Sequence, residues 1–350
     1  MGRTPHRALV PLVLLGAGRL GAECDEDTVI RVALLGGGNC YALNLAAYLH
    51  SIDIDHFGIG RSARKADAFW VQHHYHYRQA HLVSQLPAVM AMLDTERPDV
   101  IVNFAAQGEG QGSFDDKADL FYQTNTLALV RLVEQLRYRD YLRRFIQIGT
   151  SELYGSVETP SKESDALRPS SPYAVSKSAF DQHLQIMGMV HKFPFNIVRP
   201  SNAYCRGQQL HRIIPKAIIT ALRGEKLPLH GGGRAEKSYI HADDLSRAIM
   251  LIAEKAPAGE IYNCGPAMPT SIASVVAMCA DACGVAFDDL VDVVSDRTGQ
   301  DGSYWLDSSK LHAMGWIPLV ALADGIKDMV RWVHGNPEIL QMPTTWEVRV

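Results

Sequence analysis

The sequence predicts an α/β fold: a doubly wound parallel sheet with a smaller C-terminal lobe. Three observations carry this expectation. Short apolar runs alternate with helical stretches from Arg31 to Val198, as in a parallel sheet covered by helices on both faces. A glycine-rich turn, Gly36-Gly37-Gly38, lies between the first such run and the first helical stretch. After Arg199 the alternation loosens, and Gly207, Gly224 and Gly231-Gly232-Gly233 punctuate the chain.

Taken in order, Arg31-Val32-Ala33-Leu34-Leu35 is a short apolar run and reads as a strand, followed by a helix over 41–51. His56-Phe57-Gly58-Ile59 is a second strand. The polar run Gln72-His73-His74-Tyr75-His76 reads as a loop, since no acidic or Cys partner recurs at metal-ligand spacing. Residues 84–94 read as a helix, Val100-Ile101-Val102-Asn103-Phe104 as a strand, and 118–139 as one long helix. Phe145 to Ile148, a helix over 173–191 and the strand Phe195-Asn196-Ile197-Val198 complete the series. Active groups in such sheets gather at the carboxyl ends of strands; Arg61, Ser113 and Thr150 all follow strands closely.

The 350 residues and a formal charge of −4 suit one composite domain or two lobes with ample core. No run of like charges points to nucleic acid, and no apolar stretch reaches the roughly 20 residues of a membrane span. Residues 3–15 imitate a signal peptide but lack a good small-x-small cleavage site before Glu23. Six scattered cysteines form no CxxC pair, so neither a disulfide framework nor a zinc site is expected, no other metal site is indicated, and a reducing cytoplasm is the expected compartment.

Two stretches compete as a cofactor loop. Gly16-Ala17-Gly18-Arg19-Leu20-Gly21 matches GxGxxG, but an acidic segment follows it where a helix should open. Gly36-Gly37-Gly38-Asn39-Cys40-Tyr41-Ala42 follows a strand and opens a helix. It reads as GxxGxxG with Gly36, Asn39 and Ala42 at the three places; Asn tolerates left-handed angles and Ala can replace the last Gly. The second strand ends Gly60-Arg61-Ser62. An acidic residue there would bind the ribose 2′-hydroxyl of NAD; Arg61 suits the 2′-phosphate of NADP, with a solvated helix start capped by Ser62 as the alternative. NADP is therefore the expected cofactor, with NAD possible.

The chemistry is concentrated in two segments. Tyr173 and Lys177, in Ser-Pro-Tyr-Ala-Val-Ser-Lys, are four apart and share a helix face. A cation beside a phenol favours the phenolate, and a phenolate near a sugar hydroxyl is a general base. Thr150-Ser151-Glu152 follows the strand at Phe145–Ile148 and adds two hydroxyls and a carboxylate. YxxxK alone occurs by chance in ordinary helices; the Thr-Ser-Glu at a strand end makes chance a poorer account.

With these residues the chain resembles the extended short-chain dehydrogenase/reductases that act on nucleotide sugars, over about Val29 to Trp332. Gly149-Thr150-Ser151-Glu152-Leu153-Tyr154-Gly155 is similar to the catalytic strand end of GDP-mannose 4,6-dehydratases. The resemblance implies a Rossmann-type domain over 29–200 with a return segment at 239–264, a nucleotide-sugar lobe from 201–238 and 265–335, an extension at 1–28 and a tail at 336–350. It implies Ala105, Ala106 and Gln107, with Gly36, Asn39, Ala42, Arg61, Ser62, Tyr173 and Lys177, as cofactor contacts. Ser113, Asn202, Lys237 and Arg297 become substrate contacts, Arg297 through two-pronged binding of phosphate oxygens. It further implies a homodimer through a helix bundle. The chain departs from the pattern in the missing middle Gly of the cofactor loop, in Cys205-Arg206 for Gly-Pro, in Lys237 for Arg, and around His81-Leu82, where an acidic residue is common.

The expected activity is a nucleotide-sugar 4,6-dehydratase working through a transient 4-keto sugar, with Tyr173 as base for the C4 hydroxyl and Glu152 for the C5 proton. A 4-epimerase needs no base like Glu152. A uronic-acid decarboxylase shares the Thr-Ser-Glu motif. A relative that only binds nucleotide is the third reading, disfavoured by intact Thr150, Tyr173 and Lys177.

Overall fold

The computed structural model describes residues 30–62, 75–108, 114, 117–295 and 303–345. The first lobe runs β1 (Arg31–Leu35), α1 (Cys40–Ser51), β2 (Asp55–Gly60), β3 (His76–Gln79), α2 (Leu86–Glu96), β4 (Val100–Asn103), α3 (Ala118–Tyr122), α4 (Ala128–Leu136), β5 (Arg144–Ile148), α5 (Pro172–His191) and β6 (Phe195–Pro200). The later chain adds β7 (Asn202–Tyr204), α6 (Ile213–Arg223), β8 (Leu227–His230), β9 (Glu236–Lys237), β10 (Tyr239–His241), α7 (Ala242–Lys255) and β11 (Ile261–Cys264). It ends with β12 (Thr270–Ser271), α8 (Ile272–Cys283), α9 (Phe287–Leu290), β13 (Val291–Val294), β14 (Ser303–Tyr304), α10 (Ser309–His312) and α11 (Leu322–His334).

Seven strands form one sheet in the order β11-β6-β5-β4-β1-β2-β3, every pair parallel. Parallel strands covered on both faces read as continuous apolar runs, and β4 and β6 are buried along their whole length. One face packs against α1 and α7 through residues such as Leu45, Leu49, Ile249 and Ile252. The other packs against α2, α4 and α5 through Leu93, Leu132, Phe180 and Leu184. The strand order turns back between β1 and β4, and a doubly wound sheet opens its binding crevice at such a switch point. Gly36 opens the turn after β1 with φ 71°, and a Cβ there would come within 2.6 Å of the Ala105 amide nitrogen. Glycine is therefore required for the turn to pass this close to the end of β4.

Two elements differ from the sequence expectation. Tyr75 and His76 do not continue a polar loop; β3 begins at His76 and pairs with the outer edge of β2, while residues 72–74 lie outside the described chain. Its side chains are mostly exposed, so no apolar run marks it. The stretch 118–139 is not one helix. A turn of π-helix at Gln123–Leu127 separates α3 from α4 and turns Asn125 fully inward. Single π-turns of this kind are frequent at functional sites.

The later chain forms a second core in which α6, α8 and α11 pack around Ile218, Val275, Met329 and Trp332. β8 pairs with β13, and β9 lies between β12 and β14. A short helical turn at Pro337–Gln341 buries Ile339, and Arg223 donates to the Leu340 and Met342 carbonyls at 2.8 and 2.6 Å. Among the described residues, no helix is long and apolar enough to cross a membrane.

Candidate active site

β5 delivers Thr150, Ser151 and Glu152 to the carboxyl edge of the sheet. Thr150 is extended and caps the 3₁₀ turn Ser151–Tyr154, its Oγ1 accepting the Glu152 N–H at 3.3 Å. That bond uses an oxygen lone pair and leaves the Thr150 O–H to donate. Ser151 is buried at 3% exposure, and Glu152 is half-buried. The short turn therefore aims one carboxylate and two hydroxyls at the same space.

α5 supplies the phenol and the amine. Ser171 caps the helix by accepting the Ala174 N–H at 3.1 Å, and Pro172 occupies its first turn. Tyr173 and Lys177 lie one turn apart on the face toward β5. Lys177 is 3% exposed, and its Nζ donates to the Ile148 carbonyl at 2.6 Å. Burial pushes its ammonium down to about 8, against the opposing pull of the Asp181 carboxylate. An amine held this way is a tunable charge beside the phenol.

A third wall comes from the end of β4. Asn103 is fully buried, donates to Gln147 Oε1 at 2.8 Å and accepts the Ala105 N–H at 3.1 Å. Asn125, turned inward by the π-helix, accepts the Gln107 N–H at 2.7 Å and donates to the Gln107 carbonyl and to Ser176 Oγ, both at 3.0 Å. One amide thus ties the 105–107 segment to α5 next to Tyr173 and Lys177. An Asn in the middle of a helical run was the available sequence signal.

The cofactor turn fits a dinucleotide. The twelve-residue helix α1 opens beside the switch point, and helix N-termini favour phosphate. Asn39 caps α1, its Oδ1 accepting the Tyr41 N–H at 2.8 Å. At the end of β2 the side-chain position of Gly60 is taken up by Tyr77. A Cβ on Gly60 would come within 2.6 Å of the Tyr77 hydroxyl, which donates to the Ser62 carbonyl at 2.8 Å. Arg61 is exposed beyond it, and its carbonyl accepts from Gln79 Nε2 at 3.0 Å.

These walls enclose a cleft of about 820 Å³ that brings together Asn39, Ala106, Thr150, Ser151, Glu152, Tyr173, Lys177, Asn202 and Lys237. Lys237 is 8% exposed, with Nζ 3.6 Å from the Tyr304 ring centroid. Gly36, Ala105, Gln107, Arg61 and Ser62 stand around the crevice rather than lining this cleft, and Ala42 is fully buried in the core under α1. Ser113 and Arg297 lie outside the described residues, as do the 1–28 segment and its GxGxxG match. Sequence reading missed Tyr41, Gln208, Arg212 and Lys216, which also line the cleft. Tyr41 donates to the Ala203 carbonyl at 2.9 Å and Gln208 to the same carbonyl at 2.9 Å, joining the cofactor turn to the second lobe. Arg199, at the end of β6, is buried and paired with Asp181. Among the described residues, no three His, Cys, Asp or Glu side chains gather as metal ligands.

A model of the NAD-dependent epimerase/dehydratase family matches residues 32–265. The chain is 31% identical to human dTDP-D-glucose 4,6-dehydratase over 256 residues, 71% of this chain and 72% of that protein. It is 28% identical over 260 residues, 73% of this chain, to an Arabidopsis thaliana trifunctional UDP-glucose 4,6-dehydratase/UDP-4-keto-6-deoxy-D-glucose 3,5-epimerase/UDP-4-keto-L-rhamnose-reductase, of which it spans only 39%. Among solved structures, the dTDP-glucose 4,6-dehydratase DesIV of Streptomyces venezuelae, solved with NAD bound, superposes with a TM-score of 0.77 at 27% identity, covering 88% of this chain and 98% of that one.

Proposed function

The chain belongs to the NAD-dependent epimerase/dehydratase family, and we propose that it is a nucleotide-sugar 4,6-dehydratase. One observation carries the reading: Glu152 lines the same cleft as Tyr173 and Lys177. A nicotinamide dinucleotide held at the turn after β1 and the start of α1 would supply the hydride acceptor for C4 and the hydride donor for C6. Tyr173, with Lys177 beside it, takes the C4 hydroxyl proton as the 4-ketone forms. The ketone acidifies C5; Glu152 removes that proton and passes it to the 6-hydroxyl, which leaves as water, and the proton held by Tyr173 goes to C5 as hydride reaches C6. Thr150 and Ser151 orient the sugar and the departing oxygen. Asn202 and Lys237 hold the nucleotide diphosphate, Lys237 as a point charge on phosphate, with Ser113 and Arg297 as further contacts. Incubation with a panel of nucleotide sugars tests this: the expected product has lost water, while loss of carbon dioxide or an unchanged mass overturns it.

We also propose NADP as the preferred dinucleotide. The dehydratase relative was solved with NAD, but here Tyr77 fills the space at Gly60 and Arg61 follows it, a guanidinium suited to a 2′-phosphate. NADP should bind tighter than NAD, and Arg61→Ala should weaken NADP by about tenfold, the loss of one charge-assisted contact, with little change in NAD. Titration calorimetry reads both; equal affinities in the wild type would reject the assignment.

A second copy of the chain is the proposed partner. Ile186, Met189 and Val190 are 54–69% exposed and share one face of α5, an apolar stripe that a matching stripe would cover. Light scattering should give a dimer, and Ile186→Glu with Met189→Glu should give a folded monomer. A monomeric wild type would exclude it. Free thiols at Cys40, Cys205, Cys264, Cys279 and Cys283 support a reducing, cytoplasmic setting.

A further inference from the structure

Behind Tyr173 and Lys177 lies a charged cluster closed off from water. Lys177, Asp181 and Arg199 are 3%, 0% and 1% exposed. Asp181 stands one turn beyond Lys177 on α5. Its Oδ2 accepts from Arg199 Nε at 3.2 Å, and its Oδ1 takes no hydrogen bond. Arg199 Nη1 donates to the Tyr154 hydroxyl at 2.9 Å, which in turn donates to Asn263 Oδ1 at 2.9 Å.

Counting charges shows what Asp181 does. Arg199 and protonated Lys177 are two buried cations against one carboxylate. Buried charge without a counter-charge is costly, so the Tyr173–Lys177 pair readily gives up one proton. That proton can leave the phenol, which makes a base, or the ammonium, which makes an inert pair. Asp181 is one turn from Lys177 and two from Tyr173, so its charge favours the ammonium more than it opposes the phenolate.

We propose that Asp181 is a positioning residue that keeps the remaining proton on Lys177, so that Tyr173 is the member of the pair that becomes the base. The inference rests on the reading of Tyr173 as that base. Among the described residues, no other carboxylate takes its place. Glu152 is in the cleft rather than behind it, and Asp119 of α3 is exposed. Glu134 of α4 acts on His183. Arg199 is the charged side chain contributed by β6, and Glu163 accepts the Asn263 N–H at 2.8 Å. Tyr154 is held neutral, its phenol raised by burial.

The test reads the phenolate directly and needs no sugar nucleotide. The near-ultraviolet tyrosinate band of the full chain is titrated against pH, and the Tyr173→Phe trace is subtracted. In Asp181→Asn the Tyr173 midpoint should rise by about one unit or more, the effect of a lost charged neighbour passed through Lys177. The acid limb of kcat/KM should move up with it. In Asp181→Asn/Arg199→Gln the cluster regains its original net charge, and the midpoint should return to within about half a unit of the wild type. A structural role would lower Tm and leave the midpoint in place. An unmoved or lowered midpoint in the single variant, or a double variant displaced further, overturns the proposal. Asp181→Asn leaves Arg199 buried and unpaired; if that chain does not fold, the double variant is compared with Arg199→Gln alone, over which its midpoint should rise by about one unit, and no rise overturns the proposal. A wild type that yields no product from any nucleotide sugar would instead sink the dehydratase reading and leave these midpoints standing.

Discussion

Tyr173→Phe will lower turnover by about 10²–10⁴-fold, the range of a lost general acid–base group, while leaving dinucleotide binding nearly intact. The phenol is half-buried on a capped helix and lines the cleft with Lys177. Removing one oxygen there creates no cavity, so the loss should appear in kcat rather than in Tm. Lys177→Ala should lower turnover by a similar factor, but it also leaves Asp181 with Arg199 alone and opens a buried gap, so its Tm should fall as well. The pH dependence follows from the same burial. Phenol and ammonium ordinarily titrate near 10, and the buried Lys177 is held down to about 8. Because the two titrate jointly, the pair should lose its first proton nearer pH 8 than pH 10, and kcat/KM should rise with pH through that region. Near-normal turnover in Tyr173→Phe, or a flat profile from pH 7 to 9, would remove Tyr173 from the chemistry.

Much of this arrangement could be read before any coordinates, for a physical reason. A parallel strand is covered on both faces, so β1, β4, β5 and β6 are short, predominantly apolar runs set between helical stretches. The turn after β1 could be read because only glycine passes within 2.6 Å of Ala105. The hydroxyl, carboxylate, phenol and amine could be read because local spacing fixes them: Glu152 follows a strand by a few residues, and Tyr173 and Lys177 share one helix face.

What could not be read depends on contacts between distant segments. β3 is an edge strand whose exposed residues carry no apolar signal; Tyr77 within it and Tyr75 just before it matter because they fill the space at Gly60 and at Gly37 and Gly58. The π-turn at Asn125 is invisible to a helical period, since the one extra residue is accommodated by hydrogen bonds to Gln107 and Ser176 from elsewhere in the chain. Arg199 closes β6, and only its burial beside Asp181, from a distant helix, gives it a supporting role. Thr344 and Thr345 reach the cleft from a stretch that reads as a tail.

Glu152 separates dehydration from epimerisation. Its backbone N–H is fixed by Thr150 Oγ1, so Glu152→Gln keeps the turn and the side-chain shape while removing the base. C5 becomes acidic only after the 4-ketone exists, so the first oxidation should survive. The variant is expected to show nicotinamide reduction on adding the sugar nucleotide, then to stall, with water loss slowed by about 10²–10⁴-fold. The wild type should exchange the C5 hydrogen with solvent deuterium, and the variant should not. A carboxylate that only braced the turn would give a different pattern: lower Tm, with C5 exchange and product formation intact. Full product formation by Glu152→Gln, or a wild type that returns product of unchanged mass with no C5 exchange, would defeat the dehydratase reading. The same cleft would then serve a 4-epimerase, in which Tyr173 and Lys177 carry the shared oxidation and Glu152 no proton at all.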